Sequence, residues 1–302
     1  MRIHLCGVRG STPAPGRDFL RYGGHTSCLA LAHDGGAGPV LVLDAGTGLR
    51  GVTRLLGDRA FDGTILLTHL HWDHVQGLPF FRAGDRDDAR VRLLLPALEG
   101  EGSSSVEGEG SSSAEGGPSA EWGPSAEEIL SRAMSPPHFP ITPGGLRGDW
   151  AFGTLLPGHF KAEGFTVEAR EVPHKGGRTL GYRVSDGRSV IAYLPDHCPT
   201  ALGPGPEGWG EYHPAAVELA AGADLLVHDS FLLAEEVAAE AAFGHAAAEY
   251  AVGLGWRAGA RRVMLAHHKP ERTDPELDRL GRRFAEAGAG VTVAAEGGIL
   301  DL

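Results

Sequence analysis

The sequence predicts an α/β protein with two β-sheets and helices packed outside them. One observation is that both halves of the chain contain apolar, partly β-branched runs of strand length, such as residues 3–8 and 189–193. A second is that helical patterns interleave with these runs, as in the alanine-rich stretch 246–254. A third is that several runs end in polar residues, where α/β proteins tend to place binding chemistry. We predict one domain over residues 1–302.

In the first half, the predicted strands are separated by glycine-rich loops. Residues 28–32 and 40–43 are predicted strands, and residues 44–48 turn the chain into a short helix. The apolar run 63–67 is predicted to be a buried strand, and it leads directly into a loop rich in histidine. Residues 91–95 form the next predicted strand.

In the second half, strands and helices alternate again. Predicted strands occupy residues 165–171, 181–184, 189–193, 223–227, 262–265 and 291–294. The turn at residues 185–188 joins two of them into a hairpin. Predicted helices occupy residues 214–221 and 246–254, and another begins at Asp274, where Pro275 and Glu276 supply the usual first-turn residues.

Residues 97–128 break the pattern with a Gly/Ser/Glu tract. The run Glu-Gly-Glu-Gly-Ser-Ser-Ser begins at Glu99 and recurs from Glu107. Such a tract buries too little apolar surface to offset the entropy lost on ordering. We predict a flexible acidic insertion in a surface loop, with a substrate lid as an alternative role.

Composition excludes several classes of protein. The formal net charge of −12 argues against non-specific electrostatic binding of nucleic acid. Three scattered cysteines cannot build a disulfide framework, and Cys198 is better explained as a buried free thiol than as a metal ligand. The first residues resemble a strand rather than a signal peptide, and no apolar run reaches membrane-spanning length. We therefore expect a cytoplasmic protein.

The histidine loop is the strongest indication of function. His69 and His71 alternate along an extended segment and can face one ion, while Asp73 and His74 can face a second. Neutral imidazole and carboxylate are ligands suited to zinc and similar divalent metals. Three later residues of the same type, each just beyond a predicted strand, can complete such a site: His174, Asp196 and His267.

In this order and spacing, these residues resemble the metallo-β-lactamase-fold hydrolases over nearly the whole chain outside the insertion. The nearest likeness is to the phosphodiesterase branch that contains ribonuclease Z. Further segments carry the resemblance: residues 7–13, 22–28, 228–231, 244–249 and 265–267. The family usually has Asn at the position of His25. The resemblance implies an αββα sandwich with two metal ions at one edge.

The resemblance also implies a role for each ligand. The residues implied for metal one are His69, His71, His174 and Asp196. Those implied for metal two are Asp73, His74, His267 and the bridging Asp196. Zinc is the favoured metal, with manganese as the alternative. The Leu-Ala-His spacing favours His267 over His268 as the last ligand, which leaves His268 as a neighbouring or supporting group.

Other site residues follow from the same resemblance. His245 matches a histidine that contacts the phosphate and helps to protonate the leaving oxygen in the related phosphodiesterases, and Asp73 is grouped with it as catalytic. Asp44 matches an early aspartate that orients the metal loop, and Asp229 is expected to have a supporting role. His25, His159 and His197 are weaker candidates for lining the pocket.

The predicted reaction is attack of metal-bound hydroxide on a small phosphodiester, such as a cyclic nucleotide. Members that process transfer RNA usually carry a long arm between the third and fourth metal motifs, whereas only a hairpin separates His174 from Asp196 here. Nucleic acid is therefore not an expected partner. A membrane is not expected either, and whether the chain forms a homodimer is left undecided. The alternatives are a ribonuclease Z-like endonuclease for tRNA 3′ ends, a thioester hydrolase of the same fold, and a metal-binding protein without activity.

Overall fold

The chain is described by a computed structural model that covers residues 1–98, 124–287 and 290–302. Its strands form two seven-stranded sheets, and each sheet is mixed. Within the described residues, no helix has the length and apolar character needed to cross a bilayer.

The first sheet contains the first six strands and the last one. In chain order these strands are β1 (Arg2–Gly7), β2 (Cys28–Ala32), β3 (Leu41–Leu43), β4 (Asp62–Leu66), β5 (Arg90–Pro96), β6 (Asp149–Leu155) and β14 (Ile299–Asp301). Their spatial order is β14-β1-β2-β3-β4-β5-β6. The pairs from β14 to β3 are antiparallel, and those from β3 to β6 are parallel.

The second sheet repeats this arrangement with the remaining strands. They are β7 (Gly158–Ala162), β8 (Phe165–Glu171), β9 (Leu180–Ser185), β10 (Val190–Leu194), β11 (Leu225–Asp229), β12 (Val263–Ala266) and β13 (Val291–Val293). The strands from β7 to β10 pair in antiparallel fashion, and those from β10 to β13 are parallel.

Seven helices accompany the sheets in the described part of the chain. They are α1 (Leu49–Leu56), α2 (Trp72–Val75), α3 (Ala126–Ser131), α4 (Pro214–Ala220), α5 (Ala234–Glu240), α6 (Ala248–Ala258) and α7 (Asp274–Ala287). Most follow a strand and return the chain across the outer face of its sheet, as parallel pairing requires.

Three apolar layers hold the sheets and helices together. Alternate residues of one strand serve two layers: Leu41 and Leu43 of β3 point between the sheets, whereas Val42 packs outward against α1. In β11, Val227 lies between the sheets and Leu226 faces α4 and α6. Strands buried on both faces give continuous apolar runs, which is why they could be recognised in the sequence. The predicted αββα sandwich is confirmed.

Polar residues collect at one edge of the sandwich. The parallel strands β3 and β4 of the first sheet end there, as do β10, β11 and β12 of the second. Strand β8 runs in the same direction as β10, because both are antiparallel to β9. The segments that follow these strands carry the predicted site residues.

The structure corrects several element boundaries. Strands β6, β7 and β14 and helices α3 and α5 were missed by the sequence analysis. Most of the predicted insertion, residues 99–123, lies outside the described residues. Its predicted end at residue 128 is wrong, because Ala126–Ser131 is helical and Ser125 begins it with a capping box to Glu128.

Candidate metal centre

The histidine loop begins where β4 ends, and its backbone is held by a buried aspartate. Asp44 follows β3 and adopts a left-handed φ of 61°, which directs its carboxylate beneath the loop. One oxygen accepts a hydrogen bond from the Thr68 amide at 2.8 Å, and Oδ2 lies 2.9 Å from Nδ1 of His74. The hydroxyl of Tyr193 donates to the same Oδ2 at 3.0 Å. The expected orienting position of Asp44 therefore has a geometric basis.

Close packing explains two glycines near the site, Gly46 and Gly10. A Cβ on Gly46 would lie 2.1 Å from the carbonyl oxygen of Asp73, and a Cβ on Gly10 would lie 2.5 Å from Nε2 of His267. A larger residue at position 46 would displace the histidine loop, and one at position 10 would displace His267. The small residues of both motifs thus allow backbone segments to approach the site.

A first group of candidate ligands joins both sheets. His69, His71, His174 and Asp196 each offer one ligand atom, and these atoms all lie within 4.8 Å of one another. Nε2 of His174 lies 3.3 Å from Nδ1 of His71 and 3.4 Å from Oδ1 of Asp196. This set equals the one that the resemblance implies for metal one.

A second group lies beside the first. Asp73, His74 and His267 offer ligand atoms within 4.8 Å of one another. Nε2 of His74 lies 3.3 Å from Asp73 Oδ2 and 2.9 Å from Asp196 Oδ2. Asp196 therefore contacts both groups through its two oxygens, which is the arrangement that a bridging carboxylate needs.

The donor atoms fit a pair of cations. Four of them are buried and have no hydrogen-bond partner of acceptable geometry among the described residues: His69 Nε2, His74 Nε2, His267 Nε2 and Asp196 Oδ2. Unsatisfied buried polar atoms are rare and costly, so their convergence on one point needs an explanation. A set of imidazoles and carboxylates is also the ligand type of zinc. The residues present could therefore hold divalent metal.

The outer ring nitrogens are fixed by neighbouring groups, as expected for metal ligands. His69 Nδ1 lies 3.0 Å from the Thr68 hydroxyl, and His174 Nδ1 donates to the Gly244 carbonyl at 2.8 Å. His267 Nδ1 lies 3.1 Å from the Ser27 hydroxyl. Each contact turns the opposite nitrogen toward the site.

Burial and charge set the protonation of the metal-free site. Burial lowers the pKa of His69, His71 and His267, which favours the neutral imidazole that coordinates metal. Burial also opposes the charge on Asp73 and Asp196. The surrounding imidazoles, with His74 and His267 foremost, outweigh that effect and lower the pKa of both carboxyls. In His74 the carboxylates outweigh burial and raise its pKa.

Structural comparison identifies the architecture. The metallo-β-lactamase fold protein YhfI from Bacillus subtilis matches with a TM-score of 0.67 at 16% identity, covering 99% of each chain. This chain has the metallo-β-lactamase fold. Human tRNase Z, short form (ELAC1), matches with a TM-score of 0.63 at 19% identity, covering 100% of this chain and 99% of that one. A diphosphatase from the PhnP family matches with a TM-score of 0.66 at 16% identity, covering 100% of this chain and 97% of that one.

Sequence comparison adds no assignment. No protein-family model matches the chain, and no curated protein matches it. At these identities, the similarity to solved structures establishes the fold and leaves the activity to be argued from the site.

His245 lies at the same edge of the metallo-β-lactamase fold, three residues before α6. Its Nδ1 lies 3.0 Å from Asp229 Oδ2 and 3.7 Å from Asp196 Oδ1, and its ring stacks on Phe231. Burial opposes protonation, but Asp229 outweighs it and raises the pKa of His245. His245 also forms a third group of candidate ligand atoms with Asp196 and His267. The geometry thus allows either a proton donor or a ligand.

Asp229 organises this corner of the site. Besides the His245 ring, its carboxylate accepts hydrogen bonds from the backbone amides of His197 (3.1 Å), Phe231 (2.9 Å) and Ala246 (3.1 Å). The carboxylate thereby ties the segment after Asp196 to the segment that carries His245.

The remaining candidates lie apart from the metal groups. His268 is buried and donates from Nε2 to the Ala294 carbonyl at 2.9 Å. His197 is buried against His228, and Nδ1 of His197 lies 3.1 Å from Nε2 of His228. His159 is mostly exposed on β7. Cys198 is a buried free thiol, as expected, and lies in none of the groups found among the described residues.

Sequence reasoning missed three residues that support the centre. The Ser11 amide donates to Asp73 Oδ2 at 2.7 Å, from a residue with a left-handed φ of 59°. Ser27 and Thr68 contact ligand rings, as described above. Thr68 precedes His69 directly, so its position could have suggested this role. Ser11 and Ser27 lie in segments 7–13 and 22–28, which carry the resemblance, but the sequence does not indicate their contacts, because these join distant parts of the chain.

Proposed function

We propose that this protein is a binuclear metal-dependent hydrolase that cleaves small phosphodiesters. The observation that carries the proposal is the pair of ligand groups that share Asp196, with buried donor atoms converging between them. Two bound divalent ions would acidify a water molecule to supply hydroxide near neutral pH and would stabilise the charge on the phosphoryl oxygens.

The proposed ligands divide as the sequence suggested. His69, His71 and His174 would hold one ion, and Asp73, His74 and His267 would hold the other, with Asp196 contributing to both. Zinc is the metal that this donor set favours, and manganese is the alternative. Asp73 additionally accepts a hydrogen bond from the Ser11 amide, which fixes the carboxylate beside the reacting group.

His245 is proposed to donate the proton that the leaving oxygen needs. Asp229 holds Nδ1 and favours the protonated ring, so Nε2 is left to face the substrate. General acid catalysis requires such a group within hydrogen-bond reach of the leaving atom. The position of His245, whose Nδ1 lies 3.7 Å from Asp196 Oδ1, supports this role.

A small substrate is favoured by the connection between His174 and Asp196. Strands β9 and β10 form a hairpin joined by residues 186–189, so this connection contains no long arm. The acidic net charge further weakens any electrostatic attraction to RNA. Human tRNase Z shares the fold, so cleavage of precursor tRNA is kept as the competing outcome of the test below.

The proposal is tested by assaying the purified protein, loaded with zinc or with manganese, against four substrates. These are bis(p-nitrophenyl) phosphate, 3′,5′-cyclic nucleotides, 2′,3′-cyclic nucleotides and precursor tRNA. We expect turnover of the aryl diester and of at least one cyclic nucleotide. Selective cleavage of precursor tRNA that falls steeply with salt would assign the endonuclease activity instead. Absence of turnover on every diester with either metal would refute the phosphodiesterase.

A further inference from the structure

A cavity of about 660 Å³ is lined in part by residues close in sequence to the second ligand group. Its volume falls in the range of sites that take small organic ligands. Its lining includes Pro13, Thr47, Arg50, Gln76, Phe80 and Arg82.

The cavity shares its walls with the segments that position the second ligand group. Gln76 lies two residues after His74. Pro13 lies two residues after Ser11, whose amide donates to Asp73. The hydroxyl of Thr47 accepts a hydrogen bond from the Thr26 amide at 2.9 Å. Ser27, which follows Thr26 in the chain, contacts His267. The cavity is therefore built on the same backbone segments that position Asp73, His74 and His267.

Two guanidinium groups give the cavity a positive character in an otherwise acidic protein. Arg50 and Arg82 are both exposed, and neither pairs with a carboxylate within 4.0 Å in the described part of the chain. Asp85 also lines the cavity, but it is engaged by Arg147 through a 2.8 Å backbone hydrogen bond and a 3.4 Å ion pair. His25, which also lines the cavity, lies 3.9 Å from Glu296.

Part of the cavity lining is apolar and aromatic. The Phe80 side chain is 57% exposed, although its ring meets Phe139 edge to face at a centroid distance of 5.8 Å. Pro79 precedes it on the same wall. An exposed aromatic face of this kind offers a stacking surface to a flat ring.

We propose that this cavity binds the part of the substrate beyond the scissile diester, and that this part carries a second phosphoryl group and a planar ring. The guanidiniums of Arg50 and Arg82, which pair with no carboxylate among the described residues, match the oxygens of a phosphoryl group, because guanidinium binds phosphate through paired hydrogen bonds. Phe80 contacts the ring. This inference rests on the proposed function, and it narrows the substrate class to phosphorylated nucleotide-like diesters.

The test compares two product-like probes, adenosine 3′,5′-bisphosphate and adenosine 5′-monophosphate, by calorimetric titration of the metal-loaded protein at fixed ionic strength. We expect the bisphosphate to bind at least about tenfold more tightly, since a charge-assisted hydrogen bond to one further phosphate accounts for a factor of that size. Substitution of both arginines, Arg50→Ala with Arg82→Ala, should remove this preference.

A matched control is available on the same helix. Arg54 is exposed one turn after Arg50 and does not line the cavity, so Arg54→Ala should keep the preference. Phe80→Ala should weaken both probes by a similar factor, because they share the adenine ring. Equal affinity of the two probes for the unsubstituted protein, or a preference that survives in the double variant, would overturn the proposal. Unchanged affinity of Phe80→Ala would overturn the ring contact.

Failure of this proposal can be separated from failure of the proposed function. The titration measures binding only, whereas turnover of bis(p-nitrophenyl) phosphate is measured on the same preparations. Turnover without a preference for the bisphosphate rejects the cavity as a phosphoryl site. A preference for the bisphosphate, with no turnover of this or any other diester with either metal, supports the cavity and rejects the phosphodiesterase.

Discussion

Replacing Asp44 by Asn tests how the metal loop is held. The carboxylate of Asp44 is fully buried, and its Oδ2 lies 2.9 Å from His74 Nδ1. His74 therefore carries a proton on Nδ1, which leaves Nε2 free for metal. Asn has nearly the same size and tolerates the left-handed φ of 61° at this position. The substitution thus changes the hydrogen bonding more than the backbone.

The expected effect follows from the partners of each oxygen. In the native protein, Asp44 Oδ1 accepts a hydrogen bond from the Thr68 amide at 2.8 Å. In the Asp44→Asn variant, the side-chain carbonyl oxygen can still accept this hydrogen bond. The new amide NH₂ then faces His74 Nδ1 and Tyr193. To keep a hydrogen bond, His74 must move its proton to Nε2, the atom proposed to bind metal. Loss of such a supporting contact lowers metal affinity about 10–100-fold, equivalent to roughly 1.4–2.7 kcal/mol.

The assay is a competition titration of zinc between the protein and a chromophoric chelator, with thermal unfolding measured in parallel. Asp224→Asn is a matched control. Asp224 Oδ2 accepts from the Val190 amide at 2.9 Å, at the end of β11 opposite the site. We expect both variants to lose about 1–3 kcal/mol of unfolding free energy, and only Asp44→Asn to lose metal affinity. Zinc affinity equal to that of the native protein in Asp44→Asn would refute the orienting role of Asp44.

Two further predictions concern His245 and the bound metal. His245→Ala should lower kcat about 10²–10⁴-fold while metal content, measured by atomic absorption, stays unchanged, because the general acid is lost and the ligands are kept. Metal content that falls together with kcat would make His245 a ligand. Removing metal with a chelator should lower the free energy of unfolding, by about 2.7 kcal/mol relative to protein at free metal 100-fold above Kd. Calorimetric unfolding curves that coincide with and without chelator would contradict a metal site formed by the folded state.

The sequence predicted the inner strands well because they are buried on both faces. Residues 28–32 were predicted as a strand, and β2 has those same bounds. The missed strands β6 and β7 are partly exposed and contain little continuous apolar sequence. Strand β14 has only three residues and pairs with β1 at the far end of the chain. The hydrophobic periodicity of a short segment does not indicate a strand that forms only by pairing with a segment distant in sequence.

The candidate ligands were predictable for a different reason. Their residue types are unusual, their order is specific, and each follows an apolar strand. The supporting contacts were not predictable. Tyr193 and Asp44 are 149 residues apart, and Ser27 and His267 are 240 residues apart. Only the packing of one sheet on the other brings these pairs together.

We propose that phosphodiester hydrolysis by this protein requires two divalent ions with Asp196 as their shared ligand. The most direct measurement is the rate of bis(p-nitrophenyl) phosphate hydrolysis as metal-free protein is titrated with zinc at protein concentrations well above Kd. We expect activity to reach its plateau at two equivalents of zinc per chain and Asp196→Asn never to reach that plateau. Full activity at one equivalent, or full activity in Asp196→Asn, would contradict the shared two-metal centre.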